Sequence, residues 1–213
     1  ALGEDDAFVA EWPGVAEAAQ LIGSTQVQGR ATMVGNLCNA SPAADSVPAL
    51  IAGKAVAHIE GPNGSRSVPV QDIPTGPGTT SLELGEFVVA LGFPERPARA
   101  SDAYLRFIPR TEMDIAVASA GVKLELDEAG TVKAARVALG AVAATAYLDE
   151  AAGARLVGTK LEDIFLDELA ALCGQSCSPI DDKRGTVAYR RQVVGVLAKR
   201  AARIAYDRAR EKA

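Results

Sequence analysis

The connections in the middle of this chain are too short for crossover helices, which restricts the strands they join to antiparallel pairing. The segments Ala55 to Ile59 and Ser67 to Val70 flank Gly61-Pro62-Asn63-Gly64, and this spacing predicts a hairpin. Ile115 to Leu126 and Val132 to Leu139 flank Asp127-Glu128-Ala129-Gly130 in the same way. A parallel pair needs a connection of about a dozen or more residues, and neither turn supplies one. Glu86 to Phe93, ending at Pro94, and Ala103 to Ile108 read as two further strands, and Gly76-Pro77-Gly78 as a turn.

Helical periodicity is confined to the flanks. Pro13 to Ile22 puts Val15, Ala18, Ala19 and Ile22 on one face, with Gly23 as the stop. Beyond about Thr145 the pattern becomes helical again. Leu161 to Leu172 carries Ile164, Phe165, Leu169 and Leu172 at helical spacing, with Thr159 or Lys160 near its start and Gly174 at its end. Gly185 to Lys212 reads as a long helix with a buried stripe of Val193, Val196, Leu197, Ala201 and Ile204. Its outer face is basic (Arg190, Arg191, Lys199, Arg200, Arg203, Arg208 and Arg210), which suits either a solvated face or a docking surface for an acidic partner. Helices segregated from antiparallel strands give an α+β fold.

Thr32 to Asp45 (Thr-Met-Val-Gly-Asn-Leu-Cys-Asn-Ala-Ser-Pro-Ala-Ala-Asp) is the stretch that most suggests a binding role. A loop of small residues runs into Ser41-Pro42, which reads as a helix start with Ser as N-cap and Pro at the first position. That helix is interrupted by Pro48 and closes at Gly53. A loop without bulk admits backbone N–H groups close to a ligand, so a negatively charged or hydroxyl-rich ligand is expected. Ser-Pro also starts helices that bind nothing, and both readings stand at this point.

Composition removes several classes. The 213 residues carry a net charge of −5, which argues against a general nucleic-acid binder. No apolar run approaches the roughly 20 residues of a membrane span, and the acidic start Ala1-Leu2-Gly3-Glu4-Asp5-Asp6 does not read as a signal peptide. Cys38, Cys173 and Cys177 make no disulfide framework, which points to a reducing cytoplasm. The single histidine, His58, reads as an ordinary strand residue, and Cys173 and Cys177 have no second pair with which to hold zinc or an iron–sulfur cluster.

Three motifs in order carry a resemblance over nearly the whole chain: Thr32 to Asp45, Phe107-Ile-Pro-Arg-Thr-Glu-Met-Asp-Ile-Ala116, and Ser178-Pro-Ile-Asp-Asp-Lys-Arg-Gly-Thr-Val-Ala-Tyr-Arg-Arg191. They closely resemble the FAD-binding medium subunit of molybdenum hydroxylases, the group that includes the flavoproteins of xanthine dehydrogenase and aerobic carbon monoxide dehydrogenase. The resemblance implies the second lobe of a PCMH-type FAD-binding domain, an antiparallel sheet with helices, over residues 1–108. A C-terminal domain of antiparallel sheet plus helices would occupy residues 109–213. The family's first lobe, with its Gly-rich pyrophosphate loop, is not found in this sequence.

By the same resemblance, Thr32, Gly35 and Asn36 match a Thr/Ser-x-Gly-Gly-Asn turn that contacts FAD, with Val34 where the first glycine is usual. A β-branched residue tolerates φ > 0 poorly, so a displaced turn and weaker binding are expected there. Asp45 matches a carboxylate that bonds cofactor hydroxyls; Cys38, Asn39 and Ser41 line the same loop. Val88 aligns with an apolar flavin contact. Arg106 aligns with a lysine that approaches the isoalloxazine, or else is a strand-edge charge. Tyr104 stacks or packs nearby, and Arg110, Glu112 and Asp114 form a salt-linked turn. No catalytic acid or base and no metal ligand is expected in this chain. The implied role is electron transfer, from the iron–sulfur clusters of a small subunit through FAD to an external acceptor, while a large subunit carries molybdopterin. Two alternatives are a flavin-free docking subunit of the same complex and a stand-alone flavoenzyme like the enolpyruvyl-glucosamine reductases. The Arg-Gly-Thr-x-x-Tyr-Arg-Arg segment argues against the last.

Overall fold

A computed structural model describes residues 2–111 and 113–212. A 3-10 turn at Leu2–Glu4 leads into five short helices: α1 (Asp6–Glu11), α2 (Pro13–Gln20), α3 (Thr25–Gln28), α4 (Met33–Cys38) and α5 (Ser46–Ala52). Strands β1 (Val56–Gly61), β2 (Gly64–Pro69), β3 (Pro74–Gly76), β4 (Thr79–Thr80), β5 (Phe87–Gly92), β6 (Ala100–Phe107), β7 (Ala118–Leu126), β8 (Val132–Gly140) and β9 (Tyr147–Leu148) follow, with a 3-10 turn at Val70–Asp72. Helices α6 (Glu150–Leu156), α7 (Asp163–Ser176) and α8 (Val187–Glu211) complete the chain.

Every strand pairing is antiparallel. β2-β1-β5 form one sheet, β3-β4 a small hairpin, and β6-β7-β8-β9 a second sheet. The predicted hairpin closes with Gly61 opposite Gly64, and Gly64 takes the φ of +108° that side-chain-bearing residues avoid. The β7–β8 turn is closed by Asp127, whose Oδ1 accepts from the Ala129 and Thr131 amides at 2.9 and 2.8 Å.

The four-stranded sheet divides the core by strand alternation. On one face Ala103, Ala118, Ala120, Val122, Leu124, Val137 and Leu139 pack against α6, α7 and α8. On the other, Tyr104 and Ala138 join a second core built from α2, α5, β1 and β5. Two glycines set how closely α5 approaches: a Cβ on Gly121 would stand 2.7 Å from the Pro48 carbonyl oxygen, and one on Gly140 2.6 Å from the Pro48 ring. With a boundary at residue 108, β6 would fall in the first unit, yet it pairs with β7 along its whole length, from Ala100↔Glu125 to Phe107↔Ala118.

Several local expectations are corrected. The helix expected at Ser41-Pro42 begins instead at Ser46, where Pro48 sits in the first turn and its missing N–H breaks no helical bond. Ser41-Pro42 forms a turn, with the Ala43 amide on Ser41 Oγ at 3.3 Å and the Ala44 amide on the Ser41 carbonyl at 3.0 Å. In α7 the buried residues are Leu166, Leu169 and Cys173, whereas Ile164 is 62% exposed. In α8 the buried stripe runs through Arg190, Val194, Leu197, Ala198, Ala201, Ala202, Ala205 and Ala209, leaving Val196 exposed. Alanine is weakly hydrophobic in a sequence pattern, but its size lets the long helix lie close to β6 and β7.

Candidate functional site

The segment expected to form a ligand loop is α4 and its cap. Thr32 is the N-cap, its Oγ1 accepting from the Gly35 amide at 2.9 Å. A Cβ on Gly35 would meet that oxygen at 3.0 Å. Val34 lies inside this helix, and no positive φ occurs at it. The displaced turn expected there is therefore absent: a helical backbone accepts a β-branched residue without steric conflict.

Asn36 fastens this helix to the next. Its Oδ1 accepts from the Ser46 amide at 3.1 Å and from the Ser46 hydroxyl at 2.7 Å. The first amide of α5 is thus satisfied from ten residues back. Asp45, the N-cap residue by position, makes no capping bond and has a helical φ of −62°. Its carboxylate turns instead to β6, where Arg106 Nη1 stands 2.8 Å from Oδ1, with the Arg106 and Asp45 side chains 7% and 13% exposed. The pair is close, but the guanidinium N–H is poorly aimed, and Oδ1 keeps an acceptor position without a hydrogen-bond partner. Burial pushes the Asp45 carboxyl above its ordinary range, and the neighbouring Arg106 opposes that rise.

Tyr104 lies two residues before Arg106 on the same face of β6, buried, with its hydroxyl unpartnered. Burial first, and the Asp45 charge second, hold its phenol in the protonated form. It packs in the core and is not open to stack on a ligand. Val88 is buried in β5 opposite Ile59, in the second core. Cys38 is half-buried, and burial raises its thiol above the ordinary value, so it is a poor nucleophile.

Two clefts open beside Thr32. The larger, about 440 Å³, is lined by Gly3, Gln20, Gln28, Ala31, Thr32 and Met33 among others. The smaller, about 260 Å³, is apolar, with Val15, Met33, Val34, Leu50, Leu91 and Phe93 on its walls. Thr32, Met33 and Leu2 line both. Asp45, Arg106 and Val88 line neither. Of the six expected site residues, Thr32 thus faces the clefts, Gly35 and Asn36 follow on the same helix, and Asp45 and Arg106 are tied to it through Ser46. Val88 stands apart. Met33 was missed because a lone methionine at helical spacing carries no chemical signal.

The basic face of α8 is largely consumed internally. Arg190 is 3% exposed and donates to the Val117 carbonyl and to Asp182 Oδ1, both at 2.7 Å. Lys199 pairs with Asp167, Arg203 with Asp163, and Arg208 with Glu17 of α2. Arg208 also donates to the Asp102 carbonyl at 3.0 Å, and Glu17 Oε2 accepts from the Tyr104 amide at 3.1 Å. The expected salt-linked turn is present, Arg110 Nε to Asp114 Oδ2 at 2.9 Å, with Arg184 Nε 3.9 Å from Asp114; Glu112 lies outside the described residues. His58 is an exposed β1 residue hydrogen-bonded to Ser67 Oγ at 2.8 Å. Among the described residues no cluster of three or more potential metal ligands occurs, and no helix is long and apolar enough to cross a membrane.

This is an α+β arrangement whose first part offers polar groups around an open cleft and whose second part is a helix-backed antiparallel sheet. Residues 2–96 match the FAD-binding domain of molybdopterin dehydrogenases, and residues 103–205 match the C-terminal domain of the carbon monoxide dehydrogenase flavoprotein. The chain is 35% identical to the carbon monoxide dehydrogenase medium chain of Afipia carboxidovorans over 99% of its own length and 72% of the relative's. It is 29% identical to a putative xanthine dehydrogenase FAD-binding subunit of Escherichia coli, over 92% of this chain and 68% of that one. A solved structure of reconstituted carbon monoxide dehydrogenase from Oligotropha carboxidovorans superposes with a TM-score of 0.92 at 33% identity, covering 97% of this chain and 72% of that chain. Quinoline 2-oxidoreductase from Pseudomonas putida gives 0.87 at 26% identity, over 97% and 71% of the two chains. The chain belongs to the flavoprotein medium-chain family of molybdopterin dehydrogenases, and it is an oxidoreductase subunit.

Proposed function

We propose that this chain is the FAD-holding electron-transfer subunit of a molybdenum hydroxylase. In this reading it receives electrons from the iron–sulfur clusters of a small partner subunit and delivers them to an external acceptor. A large partner subunit carries molybdopterin and performs the substrate chemistry. When bound, FAD supplies the change between one-electron delivery and two-electron release; the protein supplies binding, orientation and charge.

The observation that carries the reading is a two-part cleft walled by Thr32, whose helix Asn36 fastens to Ser46, next to the Asp45–Arg106 pair. The donor set suits a dinucleotide with hydroxyls. Thr32 offers a hydroxyl at the cleft wall, and the smaller cleft an apolar surface for a ring. The three free thiols support a reducing compartment such as the cytoplasm as its place of work.

The test is flavin content. The chain, purified with its complex, retains FAD with its visible absorbance band and is reduced when the complex is given substrate. A complex that turns over substrate with an artificial acceptor while its medium subunit holds no flavin would leave only the docking role.

A further inference from the structure

The turn before β5 holds a leucine out in water. Leu84 is 100% exposed, Phe87 60% and Val89 47%. Single apolar side chains on a surface are ordinary, but three large ones within six residues form a patch, and such patches mark sites of association. The turn itself does not call for leucine. Glu83 to Glu86 is closed by the Glu86 amide on the Glu83 carbonyl at 3.0 Å, with Gly85 at φ +85° in third place. The second place, which Leu84 fills, accepts most residues and favours proline. The patch is also held rigidly. Glu86 takes two bonds from Arg66 and one from the Glu83 amide, all at 2.7 Å, and a Cβ on Gly85 would stand 2.9 Å from the Pro62 ring of the neighbouring turn. An anchor fixed before contact loses little freedom on binding.

The charges around the patch decide what fits it. Glu60, cross-strand from Phe87, and Glu83 are exposed, and among the described residues no ion pair reaches either carboxylate, whereas Arg66 is committed to Glu86. The patch is thus apolar with a negative border. A second copy meeting it across a two-fold axis would set these carboxylates against their own images, and the cations of α8 are largely engaged internally. An anionic lipid surface would repel the border in the same way. We propose, resting on the function proposed above, that Leu84 and Phe87 anchor this chain to a partner subunit of its complex whose surface offers an apolar socket ringed by lysine or arginine. Leu84 enters the socket, and Glu60 and Glu83 steer and orient the encounter.

The experiment titrates the flavin-loaded chain against the remainder of its complex, the large and small partner subunits together. Leu84→Ala weakens that binding by about 10- to 100-fold, the value of withdrawing a leucine side chain from a buried contact, and Phe87→Ala weakens it too. Glu60→Gln combined with Glu83→Gln flattens the fall of the association rate with added salt. Flavin content and melting temperature of the unassembled chain stay unchanged in Leu84→Ala, because that side chain touches nothing there. A lowered melting temperature would set Leu84 against another part of the same polypeptide and overturn the proposal. Self-association of wild type that disappears in Leu84→Ala would overturn it in favour of a second copy. Flavin-loaded wild type and Leu84→Ala of equal affinity for the partners would sink the anchor alone. Wild type that holds no flavin and binds neither partner would remove the proposed function, and the anchor with it.

Discussion

Removing the Asn36 amide tests whether the α4–α5 junction is held as described. Ser46 is 0% exposed, and its amide and hydroxyl both donate to the single oxygen Asn36 Oδ1, at 3.1 and 2.7 Å. Asn36→Ala leaves two buried donors without a partner. Each costs about 1–3 kcal/mol when stranded. Ser46 Oγ can rotate toward another acceptor, so the low end applies to it, and about 2–4 kcal/mol is expected in all. For a chain of this size each kcal/mol lowers the melting temperature by about 2–4 °C, a drop of about 4–16 °C. Asn36→Asp keeps the acceptor and should restore most of it. The assay is reversible thermal or urea unfolding of wild type and both variants under one buffer. An Asn36→Ala protein within about 0.5 kcal/mol of wild type, the range of an ordinary surface change, would refute the junction. So would Asp and Ala variants of equal stability.

Three further outcomes follow from geometry. Arg190→Met removes the donors to the Val117 carbonyl and Asp182, each at 2.7 Å, and should cost about 3 kcal/mol, the low end because Asp182 is 24% exposed; chemical denaturation measures it. The Glu86 carboxyl is held down at about 2 by its paired contacts to Arg66, both at 2.7 Å, helped by the Glu83 amide. Its folded value is below its unfolded one of about 4.3, so its contribution is complete above that pH and is lost as pH falls toward 2. Acid titration of Glu86→Gln should accordingly show a shallower loss of stability in that window. Gly121→Ala forces a Cβ to 2.7 Å from the Pro48 carbonyl oxygen and should destabilise by about 1–3 kcal/mol, visible as a lower melting temperature.

The hairpins were legible because their turns are chemically marked. Gly64 and Gly130 occupy positive φ, and Asp127 caps its own turn. The long C-terminal helix was legible from its length and period, but not its exact face, because alanines build the contact. The start of α5 was misread since Ser-Pro fits a helix start and a plain turn equally well. The deciding fact, that Asn36 caps Ser46 from a distance, is tertiary. Arg190 could not be told from its exposed neighbours by sequence, because the two carbonyls that bury it, those of Val117 and Ala141, lie more than forty positions away. Thr32 and Asn36 share α4, and Asn36 meets Ser46 beside the Asp45–Arg106 pair, a tertiary linkage that periodicity does not reveal.

β6 is one residue thick, and it serves two neighbours at once. Its Ala103 side is pressed by α8, while its Tyr104 and Arg106 side forms the wall behind Asp45. Arg208 and Lys212, near the far end of α8, reach back to Glu17 and the Ala10 carbonyl, so the last helix is clamped across the strand to the first helices. Whatever grips the outside of that helix is thereby mechanically joined, through a single extended backbone, to the guanidinium on the opposite side.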